Sequence, residues 1–168
     1  MKPSKPSAKA IVLIASLLIS LPAILPAQTP MATAEAHRRA EELLKQMTIE
    51  EKVGQMNQSS GIVMPLLATE KPDSLIVQGK VGSILWLIDV KEINRLQHLA
   101  IEKSRLHIPI LFAFDVIHGY RTVFPIPLAM AASWDPGVEE AAQRLAGQDA
   151  RAAGIRWTFT PMVDIARD

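Results

Sequence analysis

Three short apolar runs, separated by stretches of helical periodicity, restrict what this chain can fold into more than any other feature. Val81–Leu87 follows Gly79, Ile110–Phe114 follows Pro109, and Trp157–Thr160 follows Gly154. Between the first two runs, Asp89 precedes a segment whose apolar positions are Ile93, Leu96, Leu99, Ala100 and Ile101. Between the second and third, Asp135 with Pro136 opens a segment with Val138, Ala141, Ala142, Leu145 and Ala152 on one face, broken by Asp149. An aspartate accepting from the first free amides, followed by proline at the first helical position, is a helix start. The runs are continuously apolar rather than alternating, which predicts strands buried on both faces of a helix-covered parallel sheet. The fold class is α/β. A doubly wound sheet and a β/α barrel both satisfy the pattern, and periodicity does not choose between them.

Upstream, the spacing predicts a helix from Glu35, with Ala40, Leu43, Leu44 and Met47 at i, i+3, i+4 and i+7. Thr48-Ile49-Glu50-Glu51 is a capping box, so a second short helix follows over about 49–56. Residues 57–80 read as loop and short strand.

The chain's two ends differ in charge. Lys2, Lys5 and Lys9 precede the apolar run Ala10–Leu25, and no acidic residue occurs before Glu35. A basic stretch followed by an apolar one is the pattern of a secretory signal peptide, expected here as residues 1–27 with cleavage after Ala27. The apolar run is shorter than the roughly 20 residues that span a bilayer. Cysteine is absent, which removes a lipoprotein anchor, disulfides, thiolate metal sites and cysteine nucleophiles together. Without Lys2, Lys5 and Lys9 the chain carries 15 Lys+Arg against 17 Asp+Glu, and offers no basic footprint for nucleic acid. No membrane association is expected once the leader is removed.

Several chemistries lack their residues. No strand is followed by Gly-x-Gly-x-x-Gly, and no Gly-x-x-x-x-Gly-Lys-Ser/Thr loop or Gly-x-Ser-x-Gly elbow occurs. His37, His98, His107 and His118 are scattered, and Asp115 with His118 is short of the three or four ligands a metal needs. Neither a metal nor an organic cofactor is expected. The informative segment is 112–125, where an apolar strand ends on Asp115 and the following loop carries His118, Gly119, Tyr120 and Arg121. Ligands of parallel β/α proteins bind at the carboxyl ends of strands. An ionised aspartate there has two acceptor oxygens for neighbouring sugar hydroxyls, or it caps the following turn. Arg121 could clamp an anion or pair on the surface. Trp86, Trp134 and Trp157 could stack on sugars or pack. Asp164, Arg167 and Asp168 could orient a site or lie in a solvated loop.

Three ordered segments resemble glycoside hydrolase family three, in its exported bacterial β-glucosidase type. They are Met47-Thr48-Ile49-Glu50-Glu51-Lys52-Val53-Gly54-Gln55-Met56, Phe114-Asp115-Val116-Ile117-His118-Gly119-Tyr120-Arg121-Thr122-Val123-Phe124-Pro125, and Pro161-Met162-Val163-Asp164-Ile165-Ala166-Arg167-Asp168. The resemblance covers about residues 37–168. It implies an incomplete (β/α)8 TIM-type barrel carrying about the first three or four β/α units, after the leader 1–27 and a linker 28–36. It also implies that Asp115 binds glucosyl hydroxyls; His118, Arg121 and Asp164 are further candidates, as supporting or loop residues. The family's nucleophilic Asp and acid/base Glu would lie beyond Asp168, its Lys-His pair has no counterpart here, and Asp168 is not followed by the usual Pro-Arg-Trp-Gly-Arg. The implied activity is that of a retaining β-glucosidase acting on terminal non-reducing β-D-glucosyl residues in the periplasm. This segment alone is expected to be inactive, with the rest of the barrel and further domains as its partners. The alternative is a non-catalytic exported sugar-binding or interaction module.

Overall fold

The structure, a computed structural model, describes residues 33–61 and 72–162. The expected leader, the apolar stretch Ile62–Leu67 and the Asp164–Asp168 motif lie outside the described residues. The sheet belongs to the compact unit 39–168.

Helix α1 (Thr33–Gln46) starts ahead of Glu35, so residues 33–36 of the expected linker are helical. The capping box forms as its sequence dictates. Thr48 Oγ1 accepts from Glu51 N–H at 3.2 Å, Glu51 Oε2 accepts from Thr48 N–H at 2.9 Å, and α2 runs Ile49–Met56. Strand β1 (Gln58–Ser60) follows directly. The 57–80 stretch also holds a short helix, α3 (Pro72–Val77), that its loop-like composition hides. Ile and Val are mediocre helix formers, but Pro72 suits a first turn and burial of Ile76 outweighs local propensity.

The alternation then proceeds as β2 (Ser83–Leu85), α4 (Val90–Lys103), β3 (Leu111–Phe114), α5 (Pro127–Ala131), α6 (Pro136–Ala152) and β4 (Trp157–Thr158). Asp89 caps α4, accepting from Lys91 and Glu92 amides, and Asp135 caps α6, accepting from those of Gly137 and Val138. At the far end of α6 the amides of Gly154 and Ile155 donate to the carbonyls of Arg151 and Ala150, turning the chain into β4.

All pairings are parallel, and the strand order is β1-β2-β3-β4. That order separates the two architectures left open by periodicity. A doubly wound sheet reverses at a switch point, whereas a barrel adds each strand beside the last. The four described strands step in one direction, as in a barrel wall.

The register sets Ile84 beside Phe112, both fully buried against Ile76 of α3, Ile93, Leu96 and Ala100 of α4, and Ala146 and Ala150 of α6. Alternation places Leu85, Leu111, Ala113 and Trp157 on the opposite face, where Leu111 is 41% and Trp157 40% exposed. The buried stripe of α6 differs from its sequence pattern. Ala142, Ala146 and Ala150 face the core, while Val138 and Leu145 are 48% and 40% exposed. Alanines at i, i+4 and i+8 let the helix lie close to the sheet, a fit that the larger Val138 and Leu145 side chains would prevent.

Two contacts fix the amino-terminal ends of these elements. The Gln97 amide forks onto Ile110, donating to its carbonyl at 2.8 Å and accepting its N–H at 2.7 Å, so α4 positions the start of β3. Arg105 donates to both Glu51 oxygens, at 2.9 and 2.5 Å, and to the Gln46 carbonyl at 2.8 Å. The guanidinium, with the Thr48 amide, holds the Glu51 carboxyl down at about 2. A carboxyl whose folded value lies below its unfolded one stabilises at higher pH and loses that contribution as pH falls. Glu51→Gln should therefore flatten acid destabilisation between pH 4.5 and about 2, measured by urea unfolding across that range.

Helix α2 meets the turn before β2 backbone to backbone. A Cβ on Gly54 would stand 2.0 Å from the Gly79 carbonyl oxygen and 2.8 Å from Lys80 Cα. Neither neighbour is a side chain that can rotate away. Gly54→Ala should cost about 1–3 kcal/mol, as overpacking does, and shift the urea midpoint downward with an unchanged slope.

Candidate functional site

Parallel pairing in chain order gathers the strands' carboxyl ends on one rim. The Gly61 amide donates to the Leu85 carbonyl at 2.6 Å, and the Trp86 amide donates to that of Ala113 at 3.1 Å. Each strand end is thus tied to the next. Asp115 stands just beyond β3, partly buried, and the fully buried Val116 anchors the backbone behind it.

Trp86 reaches Asp115 from the end of β2. Its indole N–H donates to Asp115 Oδ2 at 2.7 Å across 29 residues of sequence. To do so its backbone takes φ 66°, a left-handed conformation that a bulky side chain disfavours by roughly 1–3 kcal/mol. Trp86 therefore neither stacks openly nor packs away. It is 39% exposed and hydrogen-bonded to the carboxylate.

The loop after Asp115 is a closed structure. The Phe124 amide donates to the His118 carbonyl at 2.7 Å, and His118 Nδ1 meets the Phe124 carbonyl at 2.9 Å. A carbonyl only accepts, so that nitrogen carries the proton. Gly119 sits inside the loop at φ 118°, and a Cβ there would be 2.1 Å from the Thr122 carbonyl oxygen. Asp149, the carboxylate on the stripe of α6, accepts the Thr122 N–H at 3.2 Å. Tyr120 meets Phe114 edge-on, with ring centroids 5.5 Å apart, and burial pushes its hydroxyl above the ordinary value against the opposing charge of Arg121. Arg121 itself is exposed on the loop. Trp134 is 92% exposed, and Trp157 packs on Phe159 with centroids 4.9 Å apart. Asp164 lies outside the described residues. Among the described residues no group of three or more His, Asp or Glu is placed to hold a metal, and no helix is long and apolar enough to cross a membrane.

A parallel β/α sheet wound in one direction agrees with what comparison of the whole chain finds. Residues 48–168 match the profile of the glycosyl hydrolase family 3 N terminal domain. The chain belongs to glycosyl hydrolase family 3. It is 39% identical over 127 residues to a periplasmic beta-glucosidase of Salmonella typhimurium, a match covering 76% of this chain and 16% of that protein. A lysosomal beta glucosidase of Dictyostelium discoideum is 27% identical over 73% of this chain and 18% of its own length. Among solved structures, a beta-glucosidase from Listeria innocua in complex with isofagomine superposes with a TM-score of 0.68 at 35% identity, over 82% of this chain and 19% of that one. The chain thus spans about a sixth to a fifth of the length of these relatives.

Within this family 3 chain, the site residues singled out from sequence fall into two groups. Asp115 stands on the strand rim with its carboxylate held by Trp86, while His118 closes the loop that follows. Sequence reasoning weighed Trp86 only as a platform or a packing residue. The signal for its pairing was positional: Trp86 is the first residue past β2 and Asp115 the first past its neighbour β3. In a 1H–15N spectrum the Trp86 indole N–H should exchange with solvent more slowly than that of Trp134. Asp115→Ala should erase the difference and leave Trp134 unchanged.

Proposed function

We propose that this chain forms the amino-terminal, hydroxyl-binding part of a retaining β-glucosidase that acts on terminal non-reducing β-D-glucosyl residues. The observation that carries the reading is the Asp115 carboxylate on the strand rim of a family 3 sheet, one oxygen taken by an indole N–H. An ionised carboxylate has about four lone-pair positions, so three remain for sugar hydroxyls. Similarity to a periplasmic beta-glucosidase and the basic-then-apolar leader both support export to the periplasm.

Retaining hydrolysis needs two carboxyl groups about 5–5.5 Å apart, one attacking the anomeric carbon and one trading a proton with the leaving oxygen. By resemblance, both belong to later parts of the family's polypeptide, and Asp115 matches neither. In this reading Asp115 holds the glucosyl ring so that its anomeric carbon meets groups supplied by those parts. The 168-residue chain by itself contributes binding without bond cleavage.

The test is hydrolysis of an aryl β-glucoside. The chain alone should show no turnover above background. A gene product continuing in frame with Pro-Arg-Trp-Gly-Arg should release glucose first as the β-anomer, seen by NMR. Turnover by the chain alone that Asp115→Ala abolishes would overturn the division of labour, and release of the α-anomer would overturn retention.

A further inference from the structure

We propose that Trp86 is a positioning residue for sugar binding: it fixes the orientation of the Asp115 carboxylate instead of serving as a stacking platform. The inference rests on the reading that Asp115 binds glucosyl hydroxyls. Three observations carry it.

The first is the bond itself. At 2.7 Å from Asp115 Oδ2, the indole N–H makes a charge-assisted hydrogen bond to an ionised carboxylate. The terminal torsion of an aspartate is broad and roughly two-fold, so an unheld carboxylate samples many orientations. One oxygen pinned by a rigid ring leaves the other oriented toward whatever enters the rim. An indole N–H is a donor only. It cannot switch roles and compete for a hydroxyl proton, as a serine or water in its place could.

The second is the strain at Trp86. Three residues other than glycine have positive φ among the described residues: Trp86, His107 and Trp134. His107 precedes β3 and Trp134 precedes α6. Trp86 alone of the three stands directly at the carboxyl end of a strand and spans to the carboxylate of the next. The left-handed backbone turns its side chain along the rim, and the Trp86 amide still donates to Ala113, so the ladder continues beneath the turn. Strain of this kind persists where surrounding structure over-determines it.

The third is the mounting of the pair. The register Leu85↔Ala113 sets the two strand ends side by side, and Val116 is fully buried directly after Asp115. Neither partner is on a free loop, so the 2.7 Å separation is held by the sheet.

The test uses the complete gene product, with calorimetric titration of D-glucose into wild type, Trp86→Phe, Trp86→Leu, Asp115→Ala and the Trp86→Phe/Asp115→Ala double variant. Phenylalanine keeps an aromatic ring and removes the donor. A positioning role predicts that Trp86→Phe weakens glucose binding by about 10- to 100-fold, by analogy with the loss when a residue that orients a metal-binding side chain is removed. It further predicts that Trp86→Leu is no worse, and that Trp86→Phe costs nothing further once Asp115 is alanine. Binding retained in Trp86→Phe but lost in Trp86→Leu would make Trp86 a platform and overturn the proposal. So would losses for Trp86→Phe and Asp115→Ala that simply add. If Asp115→Ala leaves glucose binding unchanged, the reading of Asp115 itself falls, whatever Trp86 does. Monodeoxyglucoses give an independent readout: the analogue insensitive to Asp115→Ala should also be the one insensitive to Trp86→Phe. Equal sensitivity of all analogues to Trp86→Phe would overturn the proposal.

Discussion

Parallel pairing in chain order is the constraint on which the rest of this structure depends. Each strand is added beside the one before it, so every connection must cross the sheet and return to the same end. The helices that make those crossings meet one face, where Ile84 and Phe112 are fully buried against residues from α3, α4 and α6. All carboxyl strand ends consequently emerge on one rim. Asp115 and Trp86 are neighbours for that reason alone, since nothing in their local sequence directs one toward the other.

The two ends of the sheet are built by different means. At the amino-terminal side stand the Gln97 fork onto Ile110, the capping box of α2 and the Arg105 bridge to Glu51, with His107 at φ 55° shortly before β3. At the rim the chain holds a tryptophan in a left-handed conformation, and a loop closed through Gly119 and the His118–Phe124 pair. The contacts that fix the strand starts and the candidate site thus lie at opposite ends of the strands, the arrangement usual for β/α architectures. Loop polarity follows the same division. Asp149 breaks the apolar pattern expected of α6 from sequence, but in the fold its carboxylate accepts the Thr122 N–H of the rim loop.

How much of this was legible follows from the range of each interaction. Thr48 with Glu51, Asp89, and Asp135 with Pro136 act within three residues, so their helix starts could be read directly, and the structure bears out all three caps. The buried line of α6 could not be read that way. Hydrophobicity ranks Val138 and Leu145 above alanine, but close approach to the sheet selects Ala142, Ala146 and Ala150 for their size. Helix α3 was hidden because Ile76 gains from tertiary burial what it lacks in propensity. The Trp86–Asp115 bond spans 29 residues and exists only in one register, Leu85 opposite Ala113. A one-residue slip of either strand would turn that strand's side chains to the other face and part the pair.

That register carries a second consequence. The pairing that brings Trp86 to Asp115 also sends Leu85, Leu111, Ala113 and Trp157 to the face opposite the helices. Covering an apolar side chain of this kind is worth roughly 1.5–3 kcal/mol, and in a closed barrel such side chains fill the interior. Leu111 and Trp157 retain much of that gain unrealised, at 41% and 40% exposure. They belong to β3 and β4, and β3 is the strand that presents Asp115. Covering their face therefore stiffens the strand that holds the carboxylate. Packing of that face and placement of the Asp115 carboxylate are thus coupled through β3.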